Sequence, residues 1–235
     1  MIRDSIFESI STVWIDLDDT LIDFGAADRA AIYELLLKIG FEPTDALAKR
    51  YSEINDSVWK KLERGEATRE EILTERFEIF LSEIGSDEPP MEARRFYEET
   101  LSGKAFLIDG AIELLENLSK KYELYIVSNG TARVARRRIS LAKIDGYFKG
   151  IFISSEFGEK KPSKEFFDLV FEKIEGFEKE NSIIIGDSLS SDILGGKNAD
   201  IRTCLFMRGE VKISDIVPDY TVRALGELPR LLERI

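Results

Sequence analysis

The stretch Val13-Trp14-Ile15-Asp16-Leu17-Asp18-Asp19-Thr20 carries an apolar run straight into a cluster of carboxylates. In extended backbone, side chains two apart point to the same side. Asp16 and Asp18 therefore share a side while Leu17 turns away. Two close carboxylates repel, so the pair calls for a nearby cation or a shared proton. One reading makes Asp16 a nucleophile on phosphorus and Asp18 the general acid and base. The other is an acidic cap where a strand meets a loop. Asp19 suits the turn, and the Thr20 hydroxyl can brace a carboxylate.

Outward from this stretch, β-rich apolar runs recur at Thr12–Ile15, Glu123–Val127, Gly150–Ile153, Ser182–Ile185 and Thr203–Met207. Helical patterns lie between most of them. Leu114, Leu115 and Leu118 form one stripe, which Asp109 can cap. Phe166, Phe167, Val170, Phe171 and Ile174 form another. Short apolar strands alternating with helices predict an α/β fold, a Rossmann-like doubly wound parallel sheet. Ligands of such sheets bind beyond the carboxyl ends of the strands.

Three further polar segments fall at those ends. Ser128-Asn129-Gly130 precedes a helix, so its hydroxyl and backbone N–H groups offer an anion site, or an ordinary cap. Lys160-Lys161-Pro162 offers a fixed cation, with one lysine solvated. Gly186-Asp187, followed by Asp192, ends a strand in carboxylates suited to Mg²⁺, which prefers oxygen ligands. Asp192 can orient Lys161 or a metal-bound water. Gly195-Gly196 permits close backbone approach or marks a helix end. The four acidic side chains alone would repel a phosphate, whereas Mg²⁺ and Lys161 make its binding electrostatically sensible.

Between Phe24 and Lys104 the alternation stops and only helical periodicity remains. Pro43-Thr44 opens one helix, which carries Trp59. Thr68-Arg69-Glu70-Glu71 reads as a capping box, and Gly85 ends the helix it opens. Pro89-Pro90 precedes another. The expected division is a catalytic core of residues 1–23 and 105–235 with an inserted helical-bundle cap, 24–104, acting as a lid.

Composition narrows the chemistry. The 235-residue chain has no histidine, which excludes Ser-His-Asp and Cys-His catalysis and histidine-bound zinc. Its net charge of −12 argues against a nucleic-acid polymer as partner. Cys204 is the only cysteine and reads as a small buried strand residue. No apolar run reaches the length of a membrane helix and Met1 to Ile10 lacks a signal core, so a cytoplasmic monomer or small homo-oligomer is expected. Arg133 and Arg136 to Arg138 read as a solvated basic helix face, or as a contact for a second phosphate or acidic partner.

The four segments, in order, resemble the motifs of the haloacid dehalogenase superfamily in its phosphatase branch. The likeness covers the whole chain, the insert included. Asp16 to Phe24 as DLDDTLIDF, Trp59 with Gly65, Arg76-Phe77, and Gly186 to Ala199 as GDSLSSDILGGKNA are similar to the pyrimidine 5′-nucleotidases. The resemblance implies attack by Asp16 on a small phosphorylated metabolite, a nucleoside 5′-monophosphate first among them, through an aspartyl-phosphate. Asp18 would serve as acid and base. Mg²⁺ would be held by Asp16, Asp187 and the Asp18 carbonyl, and the phosphoryl group by Ser128, Asn129, Gly130 and Lys161. Phosphoglycolate or sugar-phosphate phosphatases and phosphomutases are the rival enzymes. A phosphoaccepting receiver, against which the insert and Asp18 count, and a silent binding protein, against which the presence of every motif residue counts, are the rivals of other classes.

Overall fold

Thr12–Ile15 forms β1, and all four of its residues are buried. A strand covered on both faces belongs inside a parallel sheet. The structure, a computed structural model, describes residues 9–209 and 214–235 and places β1 at the centre of such a sheet. Around it lie β2 (Glu123–Ser128), β3 (Gly150–Ile153), β4 (Ser182–Gly186), β5 (Arg202–Phe206) and β6 (Tyr220–Val222). All pairings are parallel, in the order β3-β2-β1-β4-β5-β6. The winding direction reverses between β1 and β4, the kind of crevice where doubly wound sheets bind ligands. The fold is the α/β arrangement expected. β6 was not foreseen, because three residues at a sheet edge are too few to show a period.

One face of the sheet is aromatic. Trp14 stands in register with Tyr125 and Ile184 and packs on Phe166, Phe167, Val170 and Phe171 of α7 (Lys164–Phe171). Its ring centroid lies 4.8 Å from Tyr125 and 5.3 Å from Phe171. Each such buried ring contributes roughly 1.5–3 kcal/mol. The Ser163 hydroxyl starts α7 by accepting from the Phe166 N–H at 3.1 Å. Cys204 is buried on β5 as read.

On α5 (Ala111–Leu118) the Leu114, Leu115, Leu118 stripe is buried, and α9 (Leu228–Leu232) packs on this helix. Asp109 does not cap it. Gly110 takes the cap position at φ 83° and the Ala111 N–H bonds the Ile108 carbonyl, so the left-handed turn carries Asp109 out of reach. In α8 (Leu194–Asn198) the glycine pair serves close approach. A Cβ on Gly196 would lie 2.5 Å from Ile184 Cγ2 and 2.7 Å from Thr203 Cγ2.

The chain divides into two compact units. One comprises Met1–Ile22, Leu107–Ala135 and Lys143–Ile235; the other, Asp23–Phe106 with Arg136–Ala142. The second is helical: α1 (Phe24–Lys38), α2 (Asp45–Glu63), α3 (Arg69–Ile84) and α4 (Pro90–Ser102). α1 packs on α2 and α4, and α3 on the same two. Asp23 and Thr44 cap α1 and α2, Thr68 and Glu71 form the capping box of α3, and Gly85 ends α3 at φ 69°. Trp59 is half-buried against Val58, Leu62, Ile72 and Leu73, with the Arg69 guanidinium 5.8 Å from its ring.

The expected solvated arginine face on α6 (Ala132–Ala142) holds only in part. Arg133, Arg136 and Arg137 are exposed, and Arg137 pairs with Glu99. Arg138 is 1% exposed, donates from Nε to the Lys104 carbonyl at 3.0 Å, and lies 5.7 Å from the Phe24 ring. A helix face is solvated only where nothing packs on it, and Phe24 and Lys104 pack here.

Gly196→Ala is expected to destabilise the protein by about 1–3 kcal/mol, the usual cost of overpacking. That corresponds to a fall in melting temperature of several degrees. A thermal melt of wild type and variant checks this, since the clash lies between α8 and the side chains of Ile184 and Thr203 in the sheet.

Candidate active site

The sheet register sets the positions. Ile15 pairs with Ile126 and with Ile185, so Asp16, Val127 and Gly186 come level just beyond. The Asp16 N–H donates to the Ile185 carbonyl at 2.9 Å, extending the ladder by one rung and fixing the Asp16 backbone. Ser128 closes β2, and Asp187 follows the last residue of β4.

Lys161 joins these ends. Its Nζ donates to Asp16 Oδ1 at 2.6 Å, to Asp192 Oδ1 at 2.6 Å and to the Val127 carbonyl at 2.7 Å. An ammonium has three protons, and all three are used. Lys161 is 1% exposed. Burial pulls its pKa down, but the charges and hydrogen bonds of Asp16 and Asp192 outweigh burial and hold it above the ordinary lysine value. Its neighbour Lys160 is half-exposed, as one of the pair was expected to be.

Asp192 sits in a π-helical turn, Leu189–Ile193, and its Oδ2 accepts from the Ser188 N–H at 3.0 Å. Gly186 makes room for it: a Cβ there would lie 2.2 Å from the Asp192 carboxyl. Each Asp192 oxygen thus accepts one hydrogen bond, Oδ1 from Lys161 and Oδ2 from Ser188.

Oxygens of Asp16, Asp187 and Asp192 lie within 4.8 Å of one another. Burial, then the charges of Asp192 and Asp187, push the Asp16 carboxyl well above its usual range against the pull of Lys161. Asp187 has solvent-exposed surface, yet the protein packed around its carboxyl, then Asp192 and Asp19, push it up to about 8. A hard divalent cation is what three crowded carboxylates lack. All three could hold Mg²⁺, and Asp192 is the one already bonded through both oxygens, to Lys161 and to the Ser188 N–H. Lys161 engages Oδ1 of Asp16.

Asp18 is half-buried, and its Oδ2 lies 3.8 Å from where a Cβ of Gly130 would stand, beside the Ser128 loop. The Ser128 hydroxyl accepts from the Gly130 N–H at 3.1 Å. The Asn129 side chain turns elsewhere: it donates to the Lys161 carbonyl at 2.8 Å and to Ser191 Oγ at 3.2 Å, and accepts from the Lys161 N–H at 2.9 Å. Asn129 thus reaches a phosphate only through its main chain.

Thr20 does not brace a carboxylate. Its hydroxyl is buried without a hydrogen-bond partner, because the turn is closed by backbone bonds from Leu21 and Ile22 to Leu17 that carry Thr20 inward. Asp19 occupies the turn at φ 59° and accepts from Arg208 at 3.2 Å. Neither Arg208 nor Ser191 was singled out from sequence as part of the site. The available signal was position, since Arg208 follows β5 at the same sheet end as the four segments.

The family model of haloacid dehalogenase-like hydrolases matches residues 10–200. HAD-hydrolase YfnB of Bacillus subtilis is 37% identical over 223 residues, 94% of each chain. A pyrimidine 5′-nucleotidase, PynA of Streptococcus pneumoniae, is 34% identical over 221 residues, 93% of each. A crystal structure of YfnB, described as bound to magnesium, superposes with a TM-score of 0.91 over 96% of this chain and 99% of that one, at 36% identity. Among the described residues no helix is long and apolar enough to cross a membrane. A doubly wound sheet, three strand ends gathered around one buried lysine, and a match across most of its length place the chain in the haloacid dehalogenase-like hydrolase family.

Proposed function

We propose that the chain is a Mg²⁺-dependent phosphomonoesterase that works through an aspartyl-phosphate, with a nucleoside 5′-monophosphate as substrate. The observation that carries the reading is Lys161, whose ammonium links Asp16 and Asp192 beside Asp187. Three carboxylates around one lysine suit an incoming phosphoryl group only with a further cation. Asp16, Asp187 and the Asp18 carbonyl would hold Mg²⁺, which supplies positive charge to the phosphoryl oxygens when bound.

Asp16 Oδ2 attacks phosphorus, the bond to the leaving oxygen breaks, and Asp18 gives that oxygen its proton. Asp18, now a carboxylate, takes a proton from water as that water attacks the phosphoryl group. The Asp16–phosphorus bond breaks and inorganic phosphate leaves. Ser128, the main chain of Asn129 and Gly130, and Lys161 stabilise the charge that develops on the phosphoryl oxygens. The helical unit, taken as the inserted cap, selects the leaving group. The PynA relative, named a pyrimidine 5′-nucleotidase, supports nucleotides over other esters.

Asp16→Asn is expected to lower turnover of p-nitrophenyl phosphate at least about a thousand-fold while the melting temperature holds, since it removes the nucleophile. Undiminished turnover would end the assignment. Chelation with EDTA is expected to abolish activity. Adding Mg²⁺ to the stripped protein is expected to raise its melting temperature, and Asp187→Asn to remove that shift. Across UMP, dTMP, phosphoglycolate and sugar phosphates, kcat/KM is expected to be highest for the nucleotides; a sugar phosphate or phosphoglycolate at the top would overturn the substrate class.

A further inference from the structure

We propose that Asn129 acts through its side chain as the positioning residue of Lys161. The inference rests on the phosphatase reading for its kinetic consequence, and on geometry alone for the contact. Lys161 lies in a loop after β3, where no strand or helix fixes its backbone. A lysine side chain is long and flexible, so an Nζ placed to 2.6–2.7 Å on three acceptors needs an anchored Cα. The Asn129 amide supplies the anchor. It donates to the Lys161 carbonyl and accepts from the Lys161 N–H, closing a two-way pair like a rung of a sheet. The same Nδ2 donates to Ser191 Oγ, next to Asp192, which holds the far side of the ammonium.

One amide therefore ties the loop after β2, the lysine loop and the π-helical turn together. Asparagine is the side chain fitted to this. Aspartate keeps the acceptor for the Lys161 N–H but turns a second oxygen towards the Lys161 carbonyl, where two acceptors face each other. Alanine loses both arms.

The test compares wild type, Asn129→Ala, Asn129→Asp, Lys161→Ala and the Asn129→Ala/Lys161→Ala double variant. With p-nitrophenyl phosphate, Asn129→Ala is expected to lower kcat at least about ten-fold, of the order of one well-placed hydrogen-bonding group. Inhibition by inorganic phosphate should weaken in parallel, and Asn129→Asp should behave likewise. The readout that a purely structural role would not move is the cycle: in the Lys161→Ala background, Asn129→Ala should cost little more. A second readout needs no turnover. Peptide mass mapping after an amine-reactive ester should find Lys161 protected in wild type and labelled in both Asn129 variants. Full kcat in Asn129→Ala, losses that add in the double variant, or unchanged protection of Lys161 would each overturn the proposal. Should wild type itself lack phosphatase activity, the reading of function fails, and the labelling comparison still decides the role of Asn129. If Asn129→Ala does not fold, Asn129→Asp carries the same comparison.

Discussion

A buried ammonium with every proton assigned is the constraint around which the sheet's carboxyl edge is arranged. Taking a lysine out of water costs several kcal/mol, and only close, well-directed acceptors offset it. Lys161 finds three, on three different chain segments: the carboxylate after β1, the carbonyl of Val127 in β2, and Asp192 beyond β4. Moving any one segment leaves a buried charge short of a partner. The strand ends are thereby held together by a penalty for separating them as much as by their own packing. Under the proposed reaction this has a further consequence. A phosphoryl oxygen can bind Lys161 only by replacing one acceptor. Val127 is fixed by the sheet and Asp192 is held by the Ser188 N–H. Asp16 is the partner whose carboxylate charge falls when it becomes an acyl phosphate, so it is the one that yields.

The same arrangement leaves an excess of negative charge. One ammonium cannot neutralise Asp16, Asp187 and Asp192, and burial first, then this crowding, pushes the Asp16 and Asp187 carboxyls up. In such a cluster either protons or a divalent cation must enter. Proton uptake by Asp16 would remove the nucleophile. A cation would preserve it, so the proposed reaction calls for a metal at this cluster and not a proton.

Much of this was legible because it is local. An apolar strand ending in Asp16-Leu17-Asp18, or in Gly186-Asp187, announces both strand and site within eight residues, and capping signals such as Thr68 with Glu71 act within one turn. What escaped depends on contacts distant in sequence. The bonding of the Asn129 side chain escaped because nothing in Ser128-Asn129-Gly130 reveals Lys161 lying 32 residues on. Arg138 looked solvated because Phe24 and Lys104 cover it from far away in the chain. β6 escaped because a three-residue edge strand has no measurable period, and Asp109 because a left-handed glycine moved the helix start by one position.

The helical unit is built on other terms. Inside it Arg76 is 3% exposed, donates to Asn55 Oδ1 at 2.8 Å and to the Leu73 carbonyl at 3.3 Å, and lies 5.0 Å from the rings of both Phe77 and Tyr97. Tyr97 in turn donates to the buried Asp28. Each of these groups costs desolvation, so their value lies less in raw stability than in penalising alternative packings of four amphipathic helices. None of them belongs to the Lys161 cluster. A bundle fixed from within by its own polar contacts can exchange surface residues without disturbing the Lys161 cluster. Under the proposed reading, the contacts that fix the bundle and the charges that bind the phosphoryl group are two sets of physical constraints that fall on different residues.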